Sequence, residues 1–337
     1  MLALADRNLL VPLQGREARY AKYYEQNPVG PPSFFLARDE ESESFVGMAA
    51  AFPTRLRVFG EVVPGAISGD FAVDDGHRGF GPSVALQRAV VSALGENGIR
   101  CAYGYPNENA EPIIKRVGYV DLGRLTRFVK VLRSRVVVDT YVRSPALARP
   151  LAALSRVGLD PVLSVASRER LPRRHGFRVE RPDCFDDRFD DVCESMWRQH
   201  PITSERTPEL LNWKYAEGGV YTIFALLSGD DRVAAYAVYR MRNGIQHLVD
   251  IAFLPSRAVV DALLSELILD ARRQGVAAIN LLHLGSASLL TRRLRLFGFV
   301  RRTDASGVRV HVPGDSRLDR ALVTPANWYF LTGDADV

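Results

Sequence analysis

Lysine is almost missing from this chain: Lys22, Lys115, Lys130 and Lys214 are the only lysines among 44 cationic side chains. The formal charge of +5 therefore rests on arginine, spread along the sequence rather than stacked in one block. Charge of that kind does not by itself indicate nucleic-acid binding, although guanidinium forks match phosphates bidentately. Cysteine is scarce as well. Cys101, Cys184 and Cys193 are too few and too scattered for a disulfide framework or a zinc site. The six histidines, His77, His175, His200, His247, His283 and His311, show no ligand spacing. No metal is expected, and no Ser/His/Asp or Cys/His set can be assembled from them. No apolar run approaches the ~18 residues of a spanning helix, and Asp6 and Arg7 come too early for a signal-peptide apolar segment. These absences predict a cytoplasmic protein without membrane or nucleic-acid partners.

What is present is ordinary globular composition: 337 residues, 47% hydrophobic and 25% charged. At about 100–200 residues per domain this predicts two domains. Strand-like runs cover 33–39, 45–52, 54–60 and 62–73, with a hairpin break at Phe59-Gly60-Glu61. Val84, Leu86, Val90, Val91 and Leu94 then repeat at helical spacing. A short strand to Tyr105, a short helix closed by Gly118 and a strand from Leu125 to Leu132 follow. Residues 133–176 are rich in Arg, Ser and Pro and read as a connector. From Phe177 the same order of elements starts again, and both passes close with a short helix ending in Gly-aromatic (Gly118-Tyr119, Gly298-Phe299) and a terminal strand. The reading is an internal duplication in an α/β fold with a mixed sheet, its segments 1–135, 136–176 and 177–337.

The chemistry sits between Asp70 and Ser83. There a strand ending at Val73 runs through a Gly-rich loop, Arg78-Gly79-Phe80-Gly81, into a long helix. Backbone N–H groups at such a junction form an anion site reinforced by the helix dipole. Gly79 and Gly81 allow close approach, and Arg78 adds a charge-assisted donor. The segment predicts a diphosphate site.

Arg78-Gly79-Phe80-Gly81-Pro82-Ser83 resembles the Arg/Gln-x-x-Gly-x-Gly/Ala motif of the GNAT acyl-CoA transferase superfamily, departing from it at Ser83. Pro82 also removes one amide from the cradle. Tyr103-Gly104-Tyr105-Pro106-Asn107-Glu108-Asn109, followed by Lys115 to Tyr119, is similar to a bacterial subgroup associated with polysaccharide or secondary metabolism. The resemblance covers about residues 33–132 well and the second half in element order alone. It implies two GNAT-like domains in tandem, the first binding acetyl-CoA or another acyl-CoA between its splayed strands. The acceptor it implies is a primary amine of a small molecule, acylated by direct transfer. Residue by residue, it implies Val73, Arg78, Gly79, Phe80, Gly81, Ser83 and Asn107 as cofactor-binding. Asp70 is implied as the carboxylate that takes the acceptor's proton. The tyrosine that family members use as general acid is replaced by Ile114, which leaves water or a hydroxyl such as that of Tyr103 or Tyr105.

In the second half Asp250-Ile251-Ala252-Phe253 aligns with Asp70-Phe71-Ala72-Val73, but 254–260 contains no glycine. That repeat is expected to be degenerate, binding no CoA and completing an acceptor pocket. Tyr105, Asp250, Trp213 and Trp328 are the candidates for acceptor binding, with Lys214, Tyr215, Tyr329, Asp334 and Asp336 near them in sequence. Two other classes compete with this reading: an aminoacyl-tRNA-dependent ligase, which pairs two such folds, and a CoA-binding sensor without turnover.

Overall fold

The computed structural model describes residues 4, 8, 16–78, 80–133, 176–284, 288–314 and 317–335. The fold is mixed α/β. Helix α1 (Arg16–Tyr20), continued by a π-helical turn (Ala21–Glu25), precedes β1 (Ser33–Arg38), β2 (Phe45–Val58) and β3 (Glu61–Val73). Then come α2 (Phe80–Glu96), β4 (Cys101–Gly104), α3 (Glu111–Arg116) and β5 (Val120–Val131). After 176 the chain forms β6 (Arg178–Glu180), α4 (Asp190–Gln199) and β7 (Ile202–Ser204). Next is α5 (Pro208–Leu211), again continued by a π-helical turn (Asn212–Ala216). The second pass is β8 (Thr222–Leu227), β9 (Val233–Arg242), β10 (Ile245–Phe253), α6 (Arg257–Arg273), β11 (Ala278–Leu284), α7 (Leu289–Leu296) and β12 (Val300–His311). Helix α8 (Arg317–Leu322) and β13 (Trp328–Leu331) follow.

The centre of the sheet reads β2-β3-β4-β12-β5-β11-β10-β9, a palindrome in which β5 and β12 have changed places. The last strand of each pass pairs with the other pass: β12 lies against β4, and β5 lies against β11. A boundary near 135 therefore does not separate two sheets, and the expected connector 136–176 lies outside the described residues. Helix α5 and its π turn also repeat the form of α1 and its π turn, ahead of the strands of the second pass. Polar residues hide both from a periodicity reading.

Strand β13 pairs with β7 in parallel and with β11 at His283 and Leu284, and β7 pairs with β2. These links close a ring, β2-β3-β4-β12-β5-β11-β13-β7. Phe52, Ile67, Tyr103, Leu125, Val308 and Phe330 share a single core cluster that draws on each of its strands. A closed ring leaves no unpaired edge at this point.

Strands β10 and β11 pair in parallel only from Ile245↔Ala278 to Leu248↔Leu281 and then part. The space opened there is taken by β13 and the turn after it. Gly333 sits so close to Val249 that a Cβ would meet its carbonyl oxygen at 2.8 Å.

Two histidines flank Tyr329 of β13, half-buried His200 stacked at 4.3 Å and buried His283 edge-on at 5.2 Å between ring centroids. Burial pushes both imidazoles down to about 4, and their Nε2 atoms find no hydrogen-bond partner among the described residues. Between pH 6.5 and about 4 the unfolded chain therefore binds protons that the folded chain refuses. Stability is complete above that window and falls through it by about 1.4 kcal/mol per pH unit for each histidine. Urea midpoints at pH 7, 6 and 5 should decline steadily. A flat series would show that these rings are not held neutral.

Candidate active site

Strands β3 and β4 run parallel only from Gly65↔Cys101 to Ile67↔Tyr103. Their last contact is intimate: a Cβ on Gly104 would lie 3.0 Å from the Ser68 carbonyl oxygen. Beyond it Pro106 and the turn at Asn107 carry the chain away from β3. Strand β3 bends too, because its register against β2 shifts between Met48 and Ala50. The extra residue is Asp70, whose backbone is left-handed at φ 46°. Aspartate tolerates that region better than most side chains.

The wedge holds a cavity of about 210 Å³ lined by Ser68, Asp70, Gln87, Tyr105, Asn107 and Arg309, with Ile114 and Tyr119 also in its wall. Sites for drug-sized ligands run to roughly 300–1,000 Å³, so this one suits a slender chain rather than a nucleotide. From Ser68 at the apex to Val73 at the mouth, β3 spans about 17 Å at ~3.4 Å per residue.

At the mouth, α2 begins at Phe80 directly after the Gly-rich loop. A Cβ at Gly81 would meet nothing within 4 Å, so the first turn is open to a ligand. Arg78 currently closes on its own turn, its Nη1 2.6 Å from Asp75 Oδ1 and its Nε donating to the Val73 carbonyl at 3.2 Å. Gly79 lies outside the described residues. Ser83 is buried on the inner face of α2, one turn before Gln87.

Asp70 is held from α1 and its π turn. Arg19 donates through Nη2 to Oδ1 at 2.6 Å and through Nη1 to Oδ2 at 3.0 Å, while the Tyr24 hydroxyl donates to Oδ2 at 2.8 Å. Burial and then Asp70 push the Tyr24 phenol far up, so it remains a donor. A carboxylate has roughly four acceptor positions, and one on Oδ1 is left. At the apex the Tyr119 hydroxyl lies 2.7 Å from Ser68 Oγ. Burial pushes its phenol up to about 12, the hydrogen bond to Ser68 opposing. Two buried polar atoms in the cavity wall have no partner among the described residues, Gln87 Oε1 and Arg309 Nε.

Residues 9–120 match the family model of the acetyltransferase (GNAT) domain. The match covers about a third of the chain, from ahead of α1 to the start of β5. No curated protein matches it. Among solved structures it is similar to a probable N-acyltransferase from Enterococcus faecalis, at 14% identity and TM-score 0.62, over 90% of this chain and 66% of that one. A GCN5-related N-acetyltransferase from Anabaena variabilis gives 14% identity and TM-score 0.62, over 92% of this chain and 68% of that one. The N-myristoyltransferase of Saccharomyces cerevisiae with bound myristoyl-CoA gives 14% and 0.50, over 81% and 68%. The chain thus spans about two thirds of the length of these structures, and at such identity the likeness is one of fold.

Among the matched residues the structure brings Asp70, Tyr105 and Asn107 to one cavity, with Val73, Phe80, Gly81 and Ser83 along its mouth and helix. Asn107 also shapes its own turn, its Oδ1 accepting from the amides of Asn109 at 3.1 Å and Ala110 at 2.9 Å. The Tyr103 hydroxyl points elsewhere, donating to the Asp334 carbonyl at 3.1 Å.

Three expected acceptor residues do not reach the cavity. Asp250 is buried in the wedge between β10 and β11, where Arg206 Nη2 donates to its Oδ1 at 2.8 Å and the Tyr236 hydroxyl to its Oδ2 at 3.1 Å. Trp213 donates from Nε1 to the Lys22 carbonyl at 3.0 Å and clamps the π turn of α1. Trp328 donates from Nε1 to the Leu322 carbonyl at 2.8 Å and fills the ring's core. Asp334 is buried beside Arg206 at 3.1 Å and does not reach the cavity either. Asp336 lies outside the described residues.

Arg19, Tyr24, Gln87, Tyr119 and Arg309 escaped sequence reasoning. Gln87 did leave a signal, since it interrupts the apolar face of α2 between Val84 and Val90. Arg309 left none, because only the strand exchange brings β12 to this site.

Proposed function

We propose that this chain is an acyl-CoA-dependent N-acyltransferase that moves an acyl group, acetyl in the simplest case, directly to a primary amine of a small molecule. The observation that carries this reading is the wedge itself: a slender cavity between two diverging parallel strands, with an open helix N-terminus at its mouth. The diphosphate would rest on the first turn of α2, and the arm would lie along β3 with the thioester near the apex. Beyond Ile67 the β4 side of β3 has no strand partner among the described residues. Amides on that side are free to polarise the thioester carbonyl.

The acceptor amine attacks that carbonyl after its proton passes to Asp70 or to water held by it. The carbon–sulfur bond breaks, the sulfur leaves as thiolate, and the new amide nitrogen releases its second proton to solvent. Tyr119, protonated at neutral pH and bonded to Ser68, keeps its proton and offers the departing thiolate the hydroxyl that Ile114 does not. The second pass has its wedge filled by β13 and Gly333 and binds no second donor.

Isothermal titration with acetyl-, succinyl- and longer acyl-CoAs, followed by thiol release over an amine panel, tests the proposal. One donor per chain is expected. Two equivalent sites would refute the assignment of the second wedge. Binding without turnover on any amine would favour a sensor, and the absence of acyl-CoA affinity would turn attention to an aminoacyl-tRNA-dependent ligase.

A further inference from the structure

Helix α2 turns Ser83, Val84, Gln87, Val90 and Leu94 inward, and packing alone asks for an apolar side chain at the centre of that face. Gln87 stands there instead, 4% exposed, its side chain in the cavity wall and its carbonyl oxygen without a partner among the described residues. Arg309 reaches the same cavity from β12, 6% exposed. Its Nη1 donates to Asp121 Oδ1 at 2.5 Å and its Nη2 to Glu111, but its Nε–H is unmatched. Buried polar groups are normally hydrogen-bonded, and an orphan that persists calls for a ligand, water or ion.

One unmatched acceptor and one unmatched N–H donor in a single slender cavity are the complement of a secondary amide. Such an amide offers one N–H and one carbonyl. The pair does not suit a phosphate, which an unpaired glutamine carbonyl would repel, and Glu111 and Asp121 already neutralise the Arg309 charge.

We propose that Gln87 is a positioning residue for the donor's pantetheine arm. Its Oε1 accepts from an amide N–H of the arm, while Arg309 Nε–H donates to an amide carbonyl. This rests on the acyl-CoA reading above and extends it: the second pass of the chain contributes, through the exchanged strand, one side of the grip on the donor.

The test is binding rather than turnover, on the full chain. Isothermal titration would compare wild type, Gln87→Leu and Arg309→Lys against CoA and against adenosine 3′-phosphate 5′-diphosphate, which keeps the phosphates but lacks the arm. Gln87→Leu should weaken CoA about tenfold, one hydrogen bond's worth, and leave the arm-less nucleotide unchanged. Its melting temperature without ligand should rise, because an orphaned acceptor has gone. Arg309→Lys keeps a cation for Glu111 and Asp121 and should weaken CoA several-fold. Unchanged CoA affinity in Gln87→Leu overturns the proposal. So does an equal loss for both ligands with a lower melting temperature, which marks a purely structural glutamine. If wild type binds the nucleotide but gains nothing from the arm, this inference fails while the diphosphate site stands. If it binds neither, the acyl-CoA reading itself falls.

Discussion

Replacing Arg206 with methionine is expected to remove about 3–5 kcal/mol of stability, the usual cost of breaking a buried ion pair by deleting one partner. Arg206 is completely buried and lies between Asp250, at 2.8 Å, and Asp334, at 3.1 Å. Burial opposes its charge, but the two carboxylates outweigh burial and hold its pKa well above the ordinary value. Without it, two buried carboxylates would face each other across a dry site. The damage should be local at first, because Asp334 Oδ2 also accepts from the Leu331 amide at 2.7 Å and so pins the end of β13. Hydrogen exchange at Phe330 and Leu331 should accelerate before the rest of the sheet responds, and the urea midpoint should drop with it. Adding Asp250→Asn and Asp334→Asn to Arg206→Met should restore much of the loss, since no charge is then buried unpaired. An Arg206→Met midpoint close to wild type would mean that the triad contributes little.

That triad explains why the second wedge is closed more firmly than its sequence suggested. The lack of glycine in 254–260 argued only that a phosphate cradle was missing. The stronger reason is steric: the chain's own strand β13 occupies the gap, and Gly333 fits against Val249 where no side chain could.

Local signals were legible wherever one element decides its own shape. Phe59 and Gly60 both adopt positive φ, 51° and 88°, as the hairpin reading required. The run Ile245–Phe253 reads as one strand and is one. The strand-to-loop-to-helix passage from Asp70 to Ser83 was legible too, because glycine and helix spacing announce it. What sequence could not carry was pairing at a distance. Nothing in 300–311 marks β12 as a partner of β4 rather than of its own pass, so Arg309 was invisible. Short β7 and β13 are too brief for alternation to show, and Trp328 therefore read as a pocket aromatic rather than as core. Arg19 lies in a helix whose polar surface hides its role, and only the folded bulge at Asp70 brings the two together.

Asp70→Asn is expected to lower kcat/KM by about 10²–10⁴-fold at neutral pH, the typical contribution of a general base. The substitution is well chosen for this backbone, because asparagine also accepts a left-handed φ such as the 46° found here. Acyl-CoA affinity should hardly change, since three acceptor positions of Asp70 are taken by Arg19 and Tyr24 and the one left, on Oδ1, is assigned to the acceptor. Two other roles predict different patterns. If Asp70 serves only to anchor α1 through Arg19 and Tyr24, then Arg19→Leu should cost as much activity as Asp70→Asn, and both should melt early. If Asp70 merely binds the acceptor, KM for the amine should rise with kcat kept. A base has its own signature: Asp70→Asn should recover rate as pH rises and free amine accumulates, while Arg19→Leu retains most of the wild-type rate at pH 7. A near-wild-type kcat for Asp70→Asn at pH 7, measured with a defined amine, would end the assignment.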